Sequence, residues 1–363
     1  MEKIKNFVKK EIVFVIAAAL AVVSSFFVPI SAAYIEYIDF KVIALLFCLM
    51  SVIKGFMHTG LFDVMANKIL TTFKTPRSLA LALILMTFFS AMLVTNDVAL
   101  IAFVPLCIGL YEKTDEKSLV FVVVMQTIAA NLGSMLTPIG NPQNLFIYSY
   151  YEMAMGEFFG VTAPLTLLSL VLISIAVFMK KLPQCRTESE NVSVHKSVWL
   201  YVILFALSLA TVMRVLDYRI CFVITLVAML VINRKLLLQV DYALLGTFVA
   251  FFIFVGNISS LEAVRNAISS LVNGRELIMS VLFSQGISNV PCAALLAGFT
   301  ENAHALLKGV NIGGLGTIVA SLASLISFKL YSQHKNADKG AFMKVFTLYN
   351  AAFLVILVAF AMI

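Results

Sequence analysis

Apolar runs of about 20 residues recur along this chain, and each is long enough to cross the hydrocarbon core of a bilayer as a helix. Clear cases are 12–29, 161–178, 198–215 and 342–363. In lipid every backbone N–H and C=O has to be satisfied within the chain, and a helix does so locally. Composition agrees with a chain built for lipid: 61% of residues are hydrophobic and 12% charged, where a soluble domain has roughly half and a quarter.

The first run follows Lys3, Lys5, Lys9 and Lys10, as a secretory signal would. It is longer than a signal core and many more runs follow, so it reads as a retained first helix with a cytoplasmic N-terminus. The net charge of +7 does not call for nucleic acid, because the basic residues cluster in loops on one side of the expected membrane. Cys48, Cys107, Cys185, Cys221 and Cys292 form no CxxC pair. HExxH and GxxxxGK[ST] are absent and no catalytic dyad is evident, so neither an enzyme nor an ATP-driven pump is expected. No cofactor is expected beyond a coupling ion such as Na⁺.

Walking outward from the basic N-terminus gives an all-α polytopic membrane protein. It has about nine spanning helices, two re-entrant hairpins and two inverted repeats with broken helices. The N-terminal repeat, 1–180, carries a hairpin at 79–110, turned at Thr95-Asn96-Asp97, and a helix at 119–150. That helix is broken by Gly133, Pro138, Gly140 and Pro142. The polar stretch 181–197 is a cytoplasmic linker. The C-terminal repeat, 198–363, opens with a linking helix at 198–216. It carries a hairpin at 276–301, turned at Ser288-Asn289-Val290-Pro291, and a helix at 304–331 broken around Gly313, Gly314 and Gly316. Helices are also expected at 39–55, with Lys54 at its end, and at 242–258.

The repeat is visible as aligned pairs. Thr95-Asn96 matches Ser288-Asn289, and Ile38-Asp39 matches Val240-Asp241. The stretch from Asn131 matches that from Gly314, at an offset carried on to Tyr148 and Tyr331. The first hairpin enters from inside and the second from outside. Inverted repeats with broken helices point to an alternating-access transporter.

Both tips place short polar residues at the start of a half-helix. Such residues are ordinary helix caps. At membrane depth, beside a broken helix, they are also candidate ligands. Asp97 is the sharpest of them, since a carboxylate within the membrane is costly and is by default a functional candidate. Thr95, Asn96, Asp97, Asn141, Ser288, Asn289 and Thr317 are the expected substrate contacts. Asn96, Asp97, Gly133, Ser134, Thr137, Asn289, Asn311 and Gly316 are the candidate Na⁺ ligands. Gln126, Gln143, Asn144 and Gln285 lie near the breaks and are expected to bond between helices.

These features resemble the ion transporter superfamily, which includes divalent-anion/sodium symporters, citrate transporters, arsenite/antimonite permeases and NhaD-type antiporters. The resemblance covers roughly 38–180 and 219–363. It is carried by the two tips, in the place of the family's Ser-Asn-Thr pairs, and by the stretch from Thr137 to Leu145. It implies a scaffold, a mobile domain with both hairpins, elevator motion, and a homodimer. It also implies cation sites at Asn96 with 131–141 and at Asn289 with 311–317. The third tip residue departs from the pattern, being Asp97 and Val290. The expected function is secondary transport of a small carboxylate or oxyanion across the cytoplasmic membrane, coupled to Na⁺ or H⁺. A Na⁺/H⁺ antiporter or arsenite/antimonite exporter using Asp97 is the alternative, with a channel or membrane enzyme behind it.

Overall fold

The computed structural model describes residues 11–73, 75–111, 116–183 and 193–363. The basic leader 1–10, Lys74 and much of the loop 111–117 and of the linker 181–197 lie outside the described residues. The described chain forms 18 helices and no strand. It is a multi-pass membrane protein of inverted repeats.

The described chain opens with α1 (Ile12–Ser25), a short α2 (Ala33–Glu36) and α3 (Phe40–His58). α3 starts where Asp39 accepts a hydrogen bond from the Val42 N–H at 3.0 Å, the usual N-cap arrangement. It runs to His58, three residues beyond the expected end, so Lys54 lies within the helix. After α4 (Leu61–Thr72) comes the first hairpin, α5 (Pro76–Val94) and α6 (Asn96–Tyr111). Thr75 caps α5, and Pro76 sits in its first turn, where a missing N–H costs nothing. The first broken helix is α7 (Glu116–Ser134) and α8 (Pro142–Tyr150), restarted by Asn141 as cap and Pro142 in the first turn. α9 (Met155–Met179) closes the first half.

α10 (Val198–Val212) and α11 (Tyr218–Leu237) lead into α12 (Tyr242–Ser260). Asp241 caps α12 by accepting from the Leu244 N–H at 2.9 Å, just as Asp39 caps α3. Then follow α13 (Glu262–Val272), the second hairpin of α14 (Glu276–Ile287) and α15 (Asn289–Ala297), and the second broken helix of α16 (Ala303–Gly313) and α17 (Leu322–Ser332). α18 (Lys339–Ala361) ends the chain's helices. Among the described residues, seven helices are individually long and apolar enough to cross a membrane: α3, α5, α7, α9, α11, α12 and α18.

Two apolar cores organise these elements. One joins α1, α3 and α10–α12, with α8, α15 and part of α16 packed onto it. The other joins α5, α6, α7, α9, α17 and α18. The closest helix pairs are α5 with α7, α1 with α12 and α14 with α16. α7 is buried over almost its whole length, from Ser118 to Ser134.

Candidate functional site

The two hairpin tips have the same backbone geometry. Thr95 sits at φ 77°, ψ 151° and Ser288 at φ 72°, ψ 153°. The following asparagine in each case donates its N–H to the loop of a broken helix. Asn96 reaches the Gly140 carbonyl at 3.2 Å, and Asn289 reaches the Ala320 carbonyl at 2.9 Å. A second bond repeats the match. The Thr137 hydroxyl donates to the Met92 carbonyl and the Thr317 hydroxyl to the Gln285 carbonyl, each three residues before its tip. Each hairpin is thus fastened to its break at two points.

The broken helices also grip each other. The Asn131 side-chain oxygen accepts from Asn96 Nδ2 at 3.1 Å and from the Ser321 hydroxyl at 2.9 Å. The Asn311 oxygen accepts from Asn141 Nδ2 at 3.3 Å, and Asn311 Nδ2 donates to Asn144 at 2.7 Å. Asn131 and Asn311 are therefore counterparts, as are Asn141 and Ser321, the caps of the second half-helices. The repeat register is corrected accordingly. Asn131 pairs with Asn311, not Gly314, and Thr137 pairs with Thr317.

Carbonyls freed by the breaks are covered by side-chain amides. Asn144 Nδ2 lies 3.1–3.2 Å from the carbonyls of Ser134, Met135 and Thr137. In the second half Gln285 does this from the hairpin. Its Nε2 is 3.0 Å from the Gly313 and Leu315 carbonyls, and its Oε1 accepts from the Thr317 N–H at 2.8 Å. Gln285→Leu removes three such bonds at once and is expected to destabilise by about 1–3 kcal/mol. A thermal melt in detergent checks this, and a wild-type Tm would show the bonds to be dispensable.

A cavity of about 510 Å³ opens beside the first tip. Thr95, Asp97, Ile139 and Asn141 line it from the hairpin and break, and Leu46, Met50 and Lys54 from α3. Asp241 and its neighbours close the far side. The buried apolar residues of its lining belong to the first apolar core. The Thr95 hydroxyl donates to Asp97 Oδ1 at 2.5 Å, and the Asp97 N–H bonds the Asn96 side chain at 2.9 Å. Glu11, Lys54 and Asp241 are the other charged residues of the lining among the described residues. The second tip carries Val290 in the place of Asp97.

The citrate transporter (CitMHS) family model matches residues 1–312. The chain belongs to the citrate transporter family. It is 32% identical over 330 residues to an uncharacterized transporter of Methanocaldococcus jannaschii, covering 90% of each chain. It is 32% identical over 319 residues to inner membrane protein YbiR of Escherichia coli, covering 86% of this chain and 85% of that one. The crystal structure of the Alcanivorax borkumensis YdaH transporter superposes with a TM-score of 0.57 at 13% identity, covering 96% of both chains. The protein is thus a membrane transporter with the fold of that structure.

For this member of the citrate transporter family, the structure brings Thr95, Asp97 and Asn141 to one cavity. Asn96, Ser134 and Asn311 join the polar crossing behind it. Ser288, Asn289 and Thr317 do not line that cavity. Thr317 is exposed and its N–H and hydroxyl are both engaged by Gln285, so its polar groups serve the second hairpin rather than the first tip. The Ser288 hydroxyl is buried without a partner among the described residues. Gly133 sits where a Cβ would overlap the Phe88 carbonyl, and Gly316 at φ +101° where one would overlap Gln285. Both are glycines for space and conformation. Gln126 bonds Thr87 and the Phe103 carbonyl, between helices as expected.

Sequence reasoning missed Lys54 and Asp241 as cavity residues and Ser321 and Ser324 as partners of Asn131. A lysine within an otherwise apolar helix was the available signal for Lys54.

Proposed function

We propose that this protein is a secondary transporter moving a small carboxylate or oxyanion, coupled to Na⁺ or H⁺ through Asp97. The observation that carries this reading is that Asp97 of the first hairpin and Lys54 of α3 line the same cavity. A carboxylate needs a cation or proton when its counter-charge is drawn elsewhere, which ties ion binding to substrate binding. An anion is also what the family's description, citrate transporter, names.

Elevator motion suits the arrangement. Each hairpin is bonded to its break, and the breaks to each other, so both hairpins travel together against the body formed by α1, α3 and α10–α12. The positive-inside rule favours a cytoplasmic N-terminus in the cytoplasmic membrane. Assembly as a homodimer belongs to the same reading. Thr95 and Asn141 contact the substrate; Asn96, Asp97, Ser134, Thr137 and the Gly133 carbonyl are the first ion's ligands. Ser288, with its unpartnered hydroxyl, and Asn289, Asn311 and Gly316 serve a second ion.

One observation favours a cation antiporter instead: Glu11 and Asp241 line the same cavity, so carboxylates outnumber ammonium groups there. Proteoliposomes of the full chain separate the two. With Na⁺ and H⁺ gradients imposed one at a time, labelled carboxylates, oxyanions and arsenite are offered. Anion accumulation that follows one gradient is the expected result. Na⁺-dependent collapse of a pH gradient without anion flux sinks the anion reading and favours the antiporter.

A further inference from the structure

We propose that Lys54 holds the substrate anion at the first hairpin tip and that it selects substrates carrying one net negative charge. This rests on the anion-transport reading above. Lys54 lies four residues before the end of α3, between buried Ile53 and buried Gly55. Its side chain is half-buried, lines the cavity with Thr95, Asp97 and Asn141, and makes no hydrogen bond or ion pair among the described residues. A lysine whose only task was to reach water would extend to the membrane face and leave the cavity. An ammonium retained beside a partly dry cavity attracts whatever anion enters, because its charge is weakly screened there.

The charge inventory sets the limit. Among the described residues, Glu11, Lys54, Asp97 and Asp241 are the charged residues of the lining, and Lys54 is the cation of that set. Glu11 already has a partner of its own, and Asp241 caps α12. One ammonium neutralises one negative charge. A second would face Asp97 and Asp241 with nothing to offset it, and like charges at short range in a low-dielectric site are strongly unfavourable. Without a bound anion, the ammonium of Lys54 offsets part of the charge of Asp97. A bound anion takes that offset, and Asp97 then requires the coupling ion.

The test uses the full chain in proteoliposomes under a saturating coupling gradient. Initial rates are taken for wild type, Lys54→Gln and Lys54→Arg with labelled nitrate, lactate, succinate and citrate. Wild type is expected to favour the singly charged anions by about tenfold or more in kcat/KM. Lys54→Gln should raise KM about tenfold with kcat within about threefold, and Lys54→Arg should restore KM to within about threefold. A structural role would not give that split or that rescue. An unchanged KM in Lys54→Gln, or a wild-type preference for succinate or citrate, overturns the inference alone. Absence of all anion flux in wild type overturns the reading beneath it, and the inference with it. If Lys54→Gln does not purify in folded form, the charge preference of wild type and Lys54→Arg decides.

Discussion

Asp97→Asn is expected to abolish ion-driven accumulation, lowering it by about 100-fold or more, while the protein still folds. The substitution is nearly isosteric. The Thr95 hydroxyl can still donate to the side-chain oxygen as it does to Oδ1 at 2.5 Å, and the Asn96 contact to the backbone N–H is untouched. Only the charge is lost. A 100-fold effect corresponds to about 2.7 kcal/mol, the scale of a charge-assisted interaction in a partly dry site. Substrate counterflow, which needs no gradient, should survive and lose its dependence on the coupling ion. Accumulation at the wild-type level would reduce Asp97 to a helix-start residue and remove the basis for coupling at this tip.

Gly133→Ala is the second large effect expected. α5 and α7 share the most extensive helix contact among the described residues, and at position 133 it leaves no room for a side chain. A methyl group there would overlap the backbone carbonyl of Phe88. Backbone cannot rotate aside as a side-chain tip can, so the hairpin would have to move off the broken helix. Overpacking of this kind costs about 1–3 kcal/mol, and here it also strains the Thr137 and Asn96 bonds that fasten the tip. The expected result is a lowered Tm in detergent together with loss of flux. Gly160→Ala in α9 is the control. Nothing lies within 4 Å of its Cβ, so better helix propensity should leave Tm unchanged or slightly raised. Equal melting of the two variants would show that the close approach is not a constraint.

Much of the architecture could be read from apolar run lengths and their interruptions. The two hairpins, both breaks and the matched tips follow from where Gly, Pro and short polar residues interrupt hydrophobic stretches. The register of the repeat could not be read the same way. Asn141 and Asn144 correspond to Ser321 and Ser324, so the polar partners share a role and not an identity. A Leu-Gly match three residues away looked better than the true one. Lys54 was assigned to a helix end because hydropathy alone ended α3 at about residue 55. The helix continues to His58 past Gly55 and Phe56, which pack on Tyr201 and Phe205 of α10, and such tertiary burial leaves no local mark. Thr317 matched Thr137 in type and in its hydrogen bond, yet its loop is exposed where the first is covered by α9, through Thr162 and the Leu136 carbonyl.

Thr95 and Ser288 occupy a region of backbone space that glycine enters freely and side-chain-bearing residues enter at about 1–3 kcal/mol each. Laboratory selection for heat resistance would therefore converge on these two positions. It would exchange each side chain for a hydrogen atom, since glycine relaxes the turn without disturbing the backbone bonds from Asn96 and Asn289. The survivors would be sturdier proteins with blank hairpin tips. On the proposed role of these tips, robustness and recognition would be set against each other at the same two residues, and thermostabilised variants of this transporter should be screened for flux before they are used to study it.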